Sequence, residues 1–162
     1  MTGARAMTAK RAPDRRGAVP ARPSGTVPED TCPECGAVMV ERRGRLSLPV
    51  NGEEVAVPGA LHLRCPRCRE VVLRYEDARR LSEDAIERYR RKHGLLSAGE
   101  MRAIRERFKL TQAEFAALLR LGANTLSRWE SGRNVQTEAM DTLLRLIRDV
   151  PGSIEYLRRH AA

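Results

Sequence analysis

Aromatic side chains are scarce in this 162-residue chain: only 4% of residues are Phe, Trp or Tyr, with a single Trp. A chain that poor in large rings does not build one extended core, and its length suits one ordinary domain or two small ones. Long apolar runs are missing too. None approaches the ~18 residues that a membrane-spanning helix needs. The N-terminal MTGARAMTAKRAPDRR is charged but leads into no hydrophobic stretch, so it does not read as a secretory signal. The expected location is the bacterial cytoplasm, with nucleoid association when bound to DNA. Histidine is rare, with three scattered residues (His62, His93 and His160). No nucleophile with a base, no carboxylate cluster and no open metal site is evident, so no enzymatic activity is expected.

Positive charge, by contrast, is plentiful. The chain has 30 basic against 21 acidic residues, a net charge of +9, and almost all the basic ones are arginine. Four cysteine thiolates on one zinc would lower this only to about +7. Such a balance points to phosphates or another anionic surface as partner.

Residues 1–30 carry Arg5, Lys10, Arg11, Arg15, Arg16 and Arg22 among Ala, Pro, Gly and Ser. They lack apolar periodicity and are expected to form a disordered tail, either a solvated extension or a nonspecific DNA-binding arm. Met7 is a second candidate start. Residues 31–80 read as a small sheet, with alternating Leu46/Leu48/Val50 and Val55/Val57 on either side of Asn51-Gly52, a type I′ hairpin signal. Helical signals begin near Ser82, which can cap a helix stopping at Gly94, so 81–96 reads as a helical linker. Ser97/Glu100 and Thr111/Glu114 have capping-box spacing. Further helices are expected over 123–131, from about 136 to 148, and after Pro151. Residues 97–162 therefore form an all-α unit, and the fold class is α+β.

Cys32, Cys35, Cys65 and Cys68 make two C-x2-C pairs separated by 29 residues. A two-residue gap lets one tight turn aim two sulfurs at one ion, and four thiolates complete a tetrahedron. The expected result is one structural Zn2+ in a zinc ribbon-like module, its shell closed to water. A redox pair needs only one such motif, and disulfides suit secreted chains. His62 lies in the spacer as an unneeded alternative ligand. Arg69 stands where the second knuckle usually has Gly, which predicts a less regular turn.

The stretch TQAEFAALLRLGANTLSRWESG, 111–132, fits a helix-turn-helix. Ala116 and Ala117 allow close crossing, and Leu118, Leu121 and Leu126 supply packing. Asn124 and Arg128 stand one helical turn apart, where Asn can bond adenine and Arg guanine in a major groove. Thr125 and Ser127 are candidates for base or phosphate contact, and Gln112 for phosphate. The alternative for Asn124 and Arg128 is a merely solvated helix face. Trp129 is expected in the core, and Glu130 in a structural bond with Arg133.

CPECG…CPRC followed by LTQAEFAALL…NTLSRWESG resembles the MqsA-like antitoxins, whose N-terminal half is a YgiT-type zinc finger. The resemblance spans about 31–160. It implies a zinc domain that binds a toxin encoded by a neighbouring gene, and a helical domain that forms a homodimer and represses its own operon at a palindromic operator in double-stranded DNA. It also implies that Asn124 and Arg128 read bases and that the four cysteines hold the metal. A solitary zinc-stabilised regulator without a toxin is the alternative. Arg120 stands where related turns carry Gly, which predicts a turn rebuilt around Gly122.

Overall fold

The computed structural model describes residues 30–122 and 124–160; the tail over 1–29 and Met7 lie outside the described residues. Three antiparallel strands in the order β1 (Val40–Val50), β2 (Glu53–Arg64) and β3 (Val71–Val72) are followed by six helices. Asn51 and Gly52 both take positive φ, 49° and 82°, and close the β1–β2 hairpin as the sequence predicts. Pro49 is tolerated because β1 is an edge strand. The register shifts after the Gly44–Ala60 pair, where Pro58 and a left-handed Gly59 form a bulge in β2.

Helix α1 (Tyr75–Lys92) starts well before Ser82, which lies inside it. Arg74, the residue at its N-cap, makes no side-chain cap bond and instead pairs with Asp30 and Glu41. Leu81, Ala85 and Ile86 from α1 are buried against Val50, Val55, Val57 and Ala60 of the sheet, together with Val135 from far along the chain. At the other end of α1, Lys92 and His93 bind Glu53 at the hairpin.

The second core joins α2 (Ala98–Arg107), α3 (Gln112–Leu118), α4 (Thr125–Glu130), α5 (Glu138–Asp149) and α6 (Ser153–His160) around Met101, Phe115, Leu126, Leu144 and Ile147. Both predicted capping boxes form. Trp129 is core, as expected. Of the two alanines expected to allow close crossing, Ala116 is buried but Ala117 is exposed, and Leu119 packs inside while Leu118 and Leu121 are half-buried.

Helices α1 to α4 share one ending. The residue after each C-cap is left-handed and donates to the carbonyl three residues back, and the next residue donates five back. Gly94 and Gly132 take that position in α1 and α4, but Lys109 (φ 54°) and Arg120 (φ 54°) take it in α2 and α3. The α3–α4 turn is thus not rebuilt around Gly122. Arg120 itself adopts the conformation that Gly favours, and its guanidinium donates to the His160 carbonyl at 3.0 Å.

One buried polar network links the two cores. Arg90 is 1% exposed and donates to Gln136 Oε1 (3.1 Å), Trp129 O (3.0 Å) and Asn134 O (2.8 Å). Gln136 in turn donates to Leu96 O and Asp141, which also accepts from the Leu96 amide and from Arg145.

Candidate metal centre and nucleic-acid interface

The two cysteine turns are built alike. Gly36 N–H donates to Cys32 O (3.0 Å) and Cys32 N–H to Ala37 O (2.9 Å); Arg69 N–H donates to Cys65 O (3.1 Å) and Cys65 N–H to Glu70 O (2.9 Å). Arg69 takes φ 67°, close to the 71° of Gly36. The second turn is therefore as regular as the first, against the sequence expectation, with a Cβ carried in the left-handed region at a cost of about 1 kcal/mol.

All four sulfurs lie within 4.8 Å of one another, with Cys32–Cys68 at 3.4 Å and Cys35–Cys65 at 3.5 Å. A tetrahedron of metal–sulfur bonds near 2.3 Å has edges of about 3.8 Å, so the sulfurs fit a single ion. Cys32 and Cys65 are buried with Met39 and Leu63 on one face of the sheet. The Cys68 and Arg67 amides point at Cys65 Sγ and lower its pKa to about 6, as a thiolate ligand requires. The Glu70 amide pulls Cys68 the same way, but sharing with Cys32 and the other sulfurs outweighs it and pushes Cys68 up to about 12. Crowded thiols without an ion cannot all ionise; a cation among them removes that conflict. These four residues can hold one metal ion. His62 is buried and hydrogen-bonds Ala60 O at 3.0 Å, apart from the cluster.

In the helical half, α4 is held from beneath. Leu126, Trp129 and Glu130 are buried. Glu130 accepts from Arg105 Nε (2.8 Å) and Nη2 (3.0 Å) and from Gln112 Nε2 (2.9 Å). Its partner is therefore Arg105, across from α2, and not Arg133, which turns to Ser131 Oγ. Burial pushes the Glu130 carboxyl up, but the bonds from Arg105 and Gln112 outweigh it and hold the group below the ordinary carboxylate value.

The opposite side of α4 is open. Asn124 and Arg128 are exposed, and Thr125 and Ser127 half-buried. Asn124 occupies the N-cap in an αR conformation (φ −97°, ψ −4°) and makes no cap bond, so its amide is spared the role Asn usually has there. Among the described residues, no hydrogen bond or ion pair engages the Arg128 guanidinium. Gln112 is exposed at the start of α3, with one amide N–H given to Glu130 and its carbonyl oxygen and second N–H available. The Arg90 network and the Arg105–Glu130 pair escaped the sequence reading, since their partners lie 25 to 46 residues apart.

Residues 30–158 match the family described as the antitoxin component of a bacterial toxin–antitoxin system, MqsA. The chain belongs to that family. It is also similar to antitoxin HigA-2 of Vibrio cholerae serotype O1, 36% identical over 62 residues, which cover 38% of this chain and 60% of the relative. The chain thus spans less than two thirds of that relative's length. No helix among the described residues is long and apolar enough to cross a membrane.

Proposed function

We propose that this protein is a non-enzymatic, DNA-binding autorepressor that serves as the antitoxin of a type II toxin–antitoxin pair. The observation that carries the reading is the free face of α4: Asn124 and Arg128, one turn apart, project outward from a helix whose inner side is fixed by Trp129 and Glu130. Helices α3 and α4 then act as a helix-turn-helix. Asn124 and Arg128 read base edges, Thr125 and Ser127 contact bases or phosphates, and Gln112 adds a phosphate contact through its remaining N–H. Exposed Leu146 and Val150 at one-turn spacing in and after α5, with Tyr156 on α6, support a homodimer through the C-terminal helices and hence a palindromic operator. We assign residues 31–80 to the toxin-binding zinc module, 81–96 to the helical connection and 97–162 to DNA binding. The ion is one structural Zn2+ on Cys32, Cys35, Cys65 and Cys68. This assignment rests on an all-sulfur, closed ligand set. The setting is the bacterial cytoplasm, at the nucleoid when DNA is bound.

Two experiments test this. Co-expression with each flanking reading frame should yield a neighbour that is toxic alone, harmless with this chain, and co-purifies with it. The absence of such a neighbour would leave a solitary regulator. On the operator, Arg128→Ala should lose about 1–3 kcal/mol of specific binding and relax preference at one base pair. An equal loss on all sequences would make Arg128 a phosphate contact.

A further inference from the structure

The sheet is covered unevenly. Near the hairpin its inner face lies under α1, and near the cysteines one face is closed by Met39 and Leu63 packing on Cys32 and Cys65. Among the described residues, the opposite face at the cysteine end is exposed at Val40, Arg42, Arg64 and Val71. There Val40, Arg64 and Val71 are direct cross-strand neighbours, so their side chains stand side by side, and Arg42 follows two residues along β1 on the same face. Arg69, held out by its left-handed turn, lines the same open groove of about 450 Å³ with Val40, Arg42 and Arg64.

We propose that this groove is where a protein partner docks, through a segment that brings carboxylates to Arg42, Arg64 and Arg69 and apolar side chains to the valines between them. This deepens the toxin-binding reading of the zinc module and rests on it. Two features favour it. Among the described residues the three guanidiniums have no acidic partner within salt-bridge reach, whereas Arg74 and Arg79 nearby are paired. Unpaired arginines in a concave site are suited to bidentate carboxylate recognition. Moreover, Val40 is 44% exposed and Val71 38%, with Val38 at 73% where the chain enters β1. Exposed valines gain nothing against a phosphate backbone, but an apolar centre set among arginines is the composition of a protein–protein interface. Arg64 and Arg69 flank the second cysteine turn, whose closure on a metal would hold them in place before the partner arrives and limit the ordering entropy lost on binding.

The test uses the full-length, metal-loaded chain, the co-purifying neighbour product and operator DNA, with affinities from titration calorimetry. R42E/R64E should weaken neighbour binding by roughly 30-fold or more. R88E/R91E, the same charge change on exposed residues of α1, should stay within about 3-fold, because distant surface charges are screened. Metal content and operator affinity should be unchanged in both. R42Q/R64Q should give a smaller loss of the same kind, which guards against a misfolded reversal variant. Equal losses in the two charge reversals, or no loss in either, would overturn the groove as the docking site. Loss of operator affinity in R42E/R64E would make the face a nucleic-acid contact and overturn it also. A wild-type chain that binds no neighbour would refute the toxin-binding reading, and this inference with it.

Discussion

Arg90→Met tests whether the buried guanidinium holds the two cores together. Methionine keeps most of the length and apolar volume, so the change chiefly removes donors. Three acceptors lose Arg90: Trp129 O, Asn134 O and Gln136 Oε1. Trp129 O keeps the Gly132 amide at 3.2 Å and is not orphaned. The other two are left in or near the interior, at about 1–3 kcal/mol each. Against this stands relief from burying a charge: Arg90 Nη1 has no hydrogen-bond partner, and Glu87 is 3.9 Å away. Burial also pulls the Arg90 pKa down, opposed by Glu87 and Asp141. The two orphaned acceptors together cost about 2–6 kcal/mol, and a relief of roughly 1–2 kcal/mol leaves a net destabilisation centred on about 2–3 kcal/mol. For a chain of this size that lowers Tm by roughly 5–10 °C. Trp129, the single tryptophan, lies 4% exposed at the network, so its emission in a denaturant titration reports the loss directly. A midpoint unchanged within about 0.5 kcal/mol would refute the reasoning and mark Arg90 as a tolerated burial rather than a tie.

Other outcomes follow from particular residues. Lys109→Gly should stabilise the fold by up to about 1 kcal/mol, since Lys109 is exposed in a left-handed C′ position and its side chain bonds none of the described residues. Arg120→Gly should gain less, because the His160 contact is lost; both are read by chemical denaturation. Glu130 and Asp141 have pKa values below the ordinary carboxylate range. Burial opposes this in both, outweighed in Asp141 by Arg145, the Leu96 amide and Gln136. Their stabilisation is therefore complete above about pH 4.5 and is lost as pH falls through the lower folded-state values. Glu130→Gln should flatten the acid limb of a stability–pH curve, and an unaltered limb would contradict the linkage. Chelation should make all four cysteines reactive to a thiol reagent and loosen the turns around 31–38 and 65–70. The Trp129 emission should stay native, because that residue belongs to the other core. A coincident change in both signals would show that the metal supports the whole fold.

Local features were legible in the sequence where one short-range interaction decides the conformation. The two capping boxes, the Asn51-Gly52 turn and the glycines ending α1 and α4 are of that kind. The cysteine cluster was legible because the ion's geometry constrains the spacing. The start of α1 was not. Arg74 is a poor cap, and what fixes that end is pairing with Asp30 and Glu41, 44 and 33 residues away. The acidic first turn at Glu76 and Asp77, and Leu81 and Ala85 at four-residue spacing, were the signal available. Left-handed Lys109, Arg120 and Arg69 went unforeseen because a penalty near 1 kcal/mol is readily outweighed by the packing on either side of a turn. The sequence points Glu130 to Arg133, three residues along the chain, whereas burial selects Arg105 from another helix.

The position of α1 bears on how such a chain can be recombined. Its apolar side is fitted to the hairpin, yet Arg90 on the same helix is fitted to the loop after α4, and Val135 from that loop completes the sheet-side core. A hybrid joining the cysteine half of one relative to the helical half of another at residue 81 would cut through the helix that both halves use. One crossing over after residue 93 would still leave Arg90 facing a foreign loop. Viable hybrids should exchange 134–136 together with α1, so that inheritance of the two heads is linked by a three-residue segment that belongs to neither motif.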